Sequence, residues 1–306
     1  MKTLVALAFG SLFALAASGP VREVTSQAML VPLQSVPGFQ RGYLFFLEHA
    51  TVRVYPPDGG PAFVRVLEIP KSGTLSATGL AVDTDGSVAA SVGYQTTTGS
   101  NGGIVFLDRT GRQTAFLDTG LYMPSNLCYA DDHSLWAFGW QLDANLPDRA
   151  ERQDYLMVRK YSPDGKEAGR YLSRSLFPVG LQPGQASWQS LRIAVARDRV
   201  GLLAWSGKNS STAEWIEMDL NGKLLRRLEI DNHKAYGSMA YTSDGHVYRR
   251  DPTSGRLLVL DRNLPEWKDA GTSPAAYLLG ADGNRLVFSG NEHGPIRLQW
   301  FEQPDQ

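Results

Sequence analysis

Tight turns built on Asp-Gly or Asn-Gly recur along this chain, each between short runs of Val, Leu, Ile, Tyr, Phe or Trp. Few folds accept that pattern. Asp-Gly and Asn-Gly tolerate the positive φ that a short hairpin turn demands, so each one between apolar runs marks a pair of antiparallel strands. One unit shows the order. Gly79–Asp83 reads as a strand, Thr84-Asp85-Gly86 as a turn and Ser87–Val92 as a second strand. A polar loop follows at Tyr94–Gly103, then a strand at Ile104–Leu107, a turn at Asp108–Gly111 and a fourth strand at Gln113–Leu117.

The order then repeats. The first tight turn of the unit returns at Asp132-His133, Asp198-Arg199, Asp244-Gly245 and Asp282-Gly283. The second returns at Asp58-Gly59, Asp164-Gly165, Asn221-Gly222 and Asp261-Arg262-Asn263. Units spaced by about 40–65 residues suit four-stranded blades with connections of unequal length. Six such units begin near residues 30, 76, 120, 185, 236 and 274. The expected fold is therefore all-β, a six-bladed β-propeller of four-stranded antiparallel blades. A five- or seven-bladed ring and a two-layer β-sandwich are the alternatives. The last unit lacks a good fourth strand, because Glu302–Gln306 is polar and broken by Pro304, while Val21–Met29 precedes the first unit unassigned. An N-terminal strand completing the last blade would join both ends without a bare sheet edge.

Residues 1–19 read as a signal peptide. Lys2 gives a positive start, Thr3–Phe13 an apolar stretch and Ala14-Leu15-Ala16 a small-residue cleavage signature, with cleavage expected after Ala16. The apolar run, about 14 residues, is too short to span a bilayer, and no later stretch is longer. The expectation is export to the periplasm or the extracellular medium, with residues 20–306 forming a single domain and no membrane span. Cys128 is the only cysteine, so no intramolecular disulfide forms, and its apolar setting, Asn126-Leu127-Cys128-Tyr129, reads as buried packing. Composition removes two further classes. Lys and Arg number 30 against 31 Asp and Glu, which leaves no basic excess for nucleic acid. Aromatic residues make up 10% of a nearly neutral chain, which is a packing composition and not a disordered one.

Gly79–Ala90, Asn126–Phe138 and Gly237–Tyr248 each run strand, Asp-rich turn, strand. In this they resemble the blade openings of six-bladed propellers of the TolB-like and NHL-repeat type, and more distantly the SMP-30/gluconolactonase type. The likeness spans residues 30–300 and implies a ring of blades. The SMP-30 likeness further implies a divalent cation such as Ca²⁺, held at the channel mouth by a carboxylate, asparagines and an aspartate from different blades. Glu48 and Asn126 fall at matching places. The other blades offer Trp188 or Ser187, Tyr236 and Tyr277 there, with Asp231 and Asn232 nearby, so the ligand set is incomplete as read.

In such a ring the tight turns gather on one face, and the long polar segments with the crossings between blades gather on the other. Tyr94–Gly103, Trp140–Asp154, Ser206–Glu214, Arg249–Gly255, Gly290–Pro295 and the crossings at Pro70–Thr78 and Ser173–Gln189 belong to the second face. Long loops on a rigid scaffold are where binding residues usually sit. Strand ends at that mouth select Glu48, Tyr94, Asn126, Trp140, Trp188, Tyr236, Arg249 and His293 as candidate ligand-binding residues. No nucleophile elbow, zinc helix, phosphate loop or dinucleotide fingerprint is present. Of the five histidines, His133 and His246 occupy tight turns, His49 ends a strand, and His233 and His293 alone suit acid–base work without a visible partner. A glycosylation sequon at Asn209-Ser210-Ser211 carries no weight. The expected function is an exported, monomeric, non-catalytic propeller that needs no cofactor. It would bind a small molecule or a protein partner through its long-loop face, with a metal-dependent hydrolase or lactonase as the alternative.

Overall fold

The computed structural model describes residues 22–29, 37–57, 60–70, 73–97, 99–141, 155–176, 181–182, 193–206, 212–231, 239–251, 253–274, 277–290 and 296–302. Residues 1–19, the Asp58-Gly59 turn, the sequon and all of the charged segment from 142 to 154 lie outside them. So do the greater part of the Ser173–Gln189 crossing and the 291–295 loop.

Strand β1 (Arg22–Met29) comes first in the chain. Blade 1 is built from β2 (Gly38–Gln40), β3 (Tyr43–Glu48), β4 (Thr51–Tyr55) and β5 (Phe63–Val66). Blade 2 contains β6 (Leu75–Val82), β7 (Val88–Thr96), β8 (Gly99–Leu107) and β9 (Gln113–Gly120). Blade 3 follows with β10 (Tyr122–Tyr129), β11 (Leu135–Gln141), β12 (Leu156–Tyr161) and β13 (Glu167–Ser173). In blade 4 two short segments, β14 (Leu181–Gln182) and β15 (Ile193–Ala196), share the inner edge of β16 (Arg199–Ser206), with β17 (Thr212–Asp219) and β18 (Leu224–Asp231) outside. Blade 5 is β19 (Met239–Tyr241), β20 (Val247–Arg250), β21 (Arg256–Leu260) and β22 (Trp267–Thr272). Blade 6 is β23 (Tyr277–Asp282), β24 (Arg285–Gly290), β25 (Ile296–Glu302) and, antiparallel to β25 at its outer edge, β1. Every pairing is antiparallel, which makes the chain an all-β, six-bladed propeller.

One turn recurs at both the inner and the outer hairpins of the blades. Asp83 N–H donates to Ser87 O while Gly86 N–H returns to Asp83 O, and the same two bonds close Asp108–Arg112, Ser162–Lys166, Asp219–Lys223 and Thr242–His246. The glycine of each turn is left-handed, with φ between 80° and 92° at Gly165 and Gly245 as the extremes. His133 occupies the same position in the Ala130–Ser134 turn, at φ 60°, where a side chain is uncommon.

The core lies between blades and not within them. Phe45, Val52 and Val54 of blade 1 pack on Leu80, Val82 and Val105 of blade 2. The junction of the last and first blades joins Phe39, Leu44 and Phe46 to Val287, Leu298 and Trp300. Around blade 4 the wholly buried Trp136 and Trp215 belong to one cluster that runs from blade 3 to blade 5.

One expectation needs correcting. The Tyr94–Gly103 segment is not a loop: β7 and β8 remain paired out to Thr96↔Gly99. Its Thr, Ser, Asn and Gly residues resemble a connection in composition. The glycines are there because neighbours come close: a Cβ on Gly102 would lie 2.1 Å from Tyr122 O and one on Gly103 2.5 Å from the Phe116 ring.

Candidate functional site

The innermost strands of the six blades surround a cavity of about 630 Å³ on the propeller axis. An antiparallel ladder decides which backbone groups face it. Residues of a hydrogen-bonded pair point into the blade, and their neighbours turn N–H and C=O towards the axis. Asp83 N–H is bonded to Ser87 O, so Val82 and Leu80 face inward. The same rule places Tyr129 and Leu127 of blade 3, and Tyr241 and Met239 of blade 5, with their polar backbone towards the axis.

At the hairpin-tip end the first turn residue of each blade reaches the lining, Arg41, Thr84, Asp131, Arg197, Ser243 and Gly283, and on blade 6 Asp282 joins it. Blade 1 sends two arms across this end. Gln40 Nε2 donates to Leu80 O at 3.2 Å and Leu127 O at 3.3 Å, while its Oε1 accepts from Val82 N–H at 3.2 Å. Arg41 Nη2 donates to Tyr129 O at 2.9 Å and to Asp131 Oδ1 at 3.0 Å. Two side chains thereby bond four backbone groups on the axial edges of blades 2 and 3. Beside them the buried Asp83 carboxylate accepts from Thr84 N–H at 2.7 Å and lies 2.9 Å from His133 Nδ1. The Asp83 hydrogen bond raises the pKa of His133, which favours the charged imidazolium next to an aspartate. The Ser87 hydroxyl and N–H lower that of Asp85.

At the other end Thr78 Oγ1 donates to Pro124 O at 3.0 Å and meets Ser91 Oγ at 3.0 Å. Asn126 lines the cavity there, its Nδ2 donating to Ser125 Oγ at 3.0 Å. Cys128 also reaches the lining, partly buried, and burial pushes its thiol pKa up, away from reactivity.

The residues singled out by strand-end position are dispersed. Among those described, Asn126 lines the channel. Glu48 is exposed at the end of β3, outside that lining. Tyr94 is a core residue whose hydroxyl donates to Asp118 Oδ1 at 2.8 Å. Trp140 is half-buried on β11, and Arg249 is buried with its guanidinium 5.0 Å over the Trp267 ring. Trp188, Tyr236 and His293 lie outside the described residues. Gln40, Arg41 and Arg197 were not singled out, although the sequence carries a signal for the arginines. Arg41-Gly42 and Arg197-Asp198 put a long cationic side chain at hairpin positions where Gly, Asn or Asp is the economical choice. Both arginines are left-handed, at φ 50° and 54°.

Among the described residues no group of three or more His, Cys, Asp or Glu side chains is gathered for a metal ion. Glu48 and Asn126, the start of an SMP-30-like cation set, are not brought together at the channel lining. No described helix is long and apolar enough to cross a membrane.

No family model matches the sequence, and no curated protein does. Solved structures do resemble it in fold. The PQQ-bound aldose sugar dehydrogenase of Streptomyces coelicolor aligns at TM-score 0.55 and 15% identity, covering 94% of this chain and 98% of that one. The Pan2 WD40 domain of Neurospora crassa aligns at TM-score 0.51 and 12% identity, covering 88% of this chain and 75% of that one. A gluconolactonase of Xanthomonas campestris aligns at TM-score 0.48 and 15% identity, over 95% and 99% of the two chains. Identities this low make these likenesses of fold. Function has to be argued from the site.

Proposed function

We propose that this chain is an exported, monomeric binding propeller that seats a small molecule in its axial channel and performs no chemistry on it. The long-loop face is one mouth of that channel. The observation that carries the reading is the cavity itself. At about 630 Å³ it falls within the range of small-molecule sites, and its wall mixes apolar side chains with fixed polar groups in nearly equal measure. Those groups are backbone edges, amides, hydroxyls, guanidinium ions and the carboxylates of Asp131 and Asp282, which orient a ligand. The thiol in the lining has its pKa raised, and the histidine at the rim is committed to Asp83.

Thermal melts against a panel of sugars, organic acids, amides and nucleosides, with Ca²⁺, Zn²⁺ and Mn²⁺ tested alone, check this reading. A binder at about 100 times its Kd adds ~2.7 kcal/mol to stability by mass action. At least one organic class should raise Tm saturably, and NMR of the bound compound should show no turnover. A panel that leaves Tm unmoved refutes the reading. A saturable Ca²⁺ effect together with lactone hydrolysis replaces it with the metal-dependent hydrolase.

A further inference from the structure

Blades 1 and 4 stand opposite each other in a six-membered ring, and their inner hairpins share the same two-residue register and a left-handed arginine at the first turn position. Gln40 pairs with Tyr43 across Arg41-Gly42, and Ala196 pairs with Arg199 across Arg197-Asp198. Arg197 therefore repeats Arg41: the first residue of a two-residue turn, left-handed, on the channel rim. Blade 6 has Gly283 at that position with φ 61°. A glycine satisfies the turn there without strain, so the turn alone gives no reason for an arginine.

What Arg197 lacks is everything Arg41 has. Arg41 holds Asp131 on the blade two places along, and the matching position two places from blade 4 is Gly283. Asp198, beside Arg197, gives both carboxylate oxygens to Arg262 at 2.6 Å. Among the described residues Arg197 makes no ion pair, and it is exposed. One residue back, Ala196 stands where blade 1 has Gln40, so the carboxamide that spans the first half of the channel is missing from the second. The groups it would meet remain. Thr242 N–H is bonded to His246 O at 2.9 Å, so Tyr241 N–H and Met239 C=O face the axis as Val82 N–H and Leu80 C=O do. No described side chain bonds to either.

We propose that the blade 4–6 half of the channel, at its hairpin-tip end, binds a small molecule carrying both an amide and a carboxylate. The amide takes the place that Gln40 fills on the other side, donating to Met239 C=O and accepting from Tyr241 N–H. The carboxylate takes the place of Asp131 and meets Arg197. Gln40 and Asp131 are thus the chain's own copy of its ligand. The inference rests on the channel-binding reading and adds the ligand's chemistry and its place.

Isothermal titration of the full chain with glutaramic acid and succinamic acid at neutral pH tests it, with glutarate (no amide) and glutaramide (no carboxylate) as controls. A carboxamide acid should bind saturably at millimolar concentration or below, and each control at least about tenfold more weakly, the loss expected for one charge-assisted hydrogen bond or its partner. Arg197→Gly, which the backbone prefers, should melt at or above the wild type and bind at least about tenfold more weakly. Ala196→Gln should fill the site from within, weakening binding while raising Tm. N-acetylglycylglycine offers the same two groups at a peptide end. Tighter binding of it identifies peptide termini as the source, and tighter binding of glutaramic acid identifies a free metabolite; either supports the site. Absence of saturable binding by every carboxamide acid overturns the proposal, as does unchanged binding in Arg197→Gly. If another compound binds and neither variant alters it, the channel reading stands and this inference fails.

Discussion

Replacing Glu217 by alanine should cost this propeller about 3–5 kcal/mol, the range found when one partner of a buried ion pair is removed. The carboxylate is wholly buried on β17. It accepts from Arg199 Nη1 at 3.0 Å, Arg226 Nη2 at 2.5 Å and Trp215 Nε1 at 2.9 Å. Both guanidinium groups also donate across to blade 5, Arg199 to Arg262 O and Arg226 to Asp261 O and Leu264 O. The arginine side chains are only 17% and 13% exposed, so alanine strands two nearly dry cations and an indole N–H at once. The strongest loss falls on the arginines, because an orphaned indole donor alone costs about 1–3 kcal/mol. Urea unfolding of wild type, Glu217→Ala and Glu217→Gln measures it, with glutamine falling between because it keeps an acceptor for Trp215. At roughly 2–4 °C per kcal/mol, Tm should fall by about 10 °C. Glu68→Ala, whose side chain is 73% exposed and whose Arg65 partner is 38% exposed, is the control and should cost about 0–1 kcal/mol. A Glu217→Ala loss no larger than that control would refute the idea that this network welds blade 4 to blade 5.

Other substitutions test the remaining contacts. Gln40→Leu removes the arm across blades 1 to 3 and leaves Val82 N–H with the Leu80 and Leu127 carbonyls unmet, so urea unfolding should show a loss of about 1–3 kcal/mol. Gly79→Ala places a Cβ 2.5 Å from Ser125 O of the next blade and should cost about 1–3 kcal/mol in the same assay. The pKa of His133 is raised by Asp83, so its contribution is fully present below the unfolded value, near 6.5, and fades as pH rises through the folded one. His133→Gly should therefore flatten the stability profile above about pH 6.5, and an unchanged profile in urea melts across that window would disprove the linkage. At Asp244 burial pushes the pKa up, but the His246 and Thr242 hydrogen bonds outweigh it and lower it. That contribution is present above about pH 4 and lost on acidification, so Asp244→Asn should lessen acid sensitivity in the same melts.

Hairpins were legible because their causes are local. A left-handed glycine after aspartate or asparagine, with alternating apolar residues on either side, fixes a turn within five residues. Asp83–Ser87, Asp108–Arg112 and Asp219–Lys223 form as their sequences indicate. Composition failed at Tyr94–Gly103, where glycines chosen for close approach to Tyr122 and Phe116 read as a loop. The candidate site was the least legible. Tyr94 lies inside β7, which runs on past the expected strand end, and turns into the packing between blades 1 and 2, while Arg249, near the end of β20, lies over Trp267 of its own blade.

By itself the sequence determined the all-β class and the repeating unit, since each follows from φ preferences and burial alternation inside one short stretch, while the count of six, expected from the repeats with five and seven as alternatives, was fixed by the closed ring. Tertiary structure alone decided what meets on the axis. Gln40 finds Leu80 and Leu127, residues 40 and 87 positions away, and Arg41 finds Asp131 across 90. Ala196 and Arg197 gain their meaning only from standing opposite that pair. Such contacts depend on the rotation from blade to blade around the ring, which no local stretch encodes, so an alanine and an arginine without local partners become half of a site once the ring is formed.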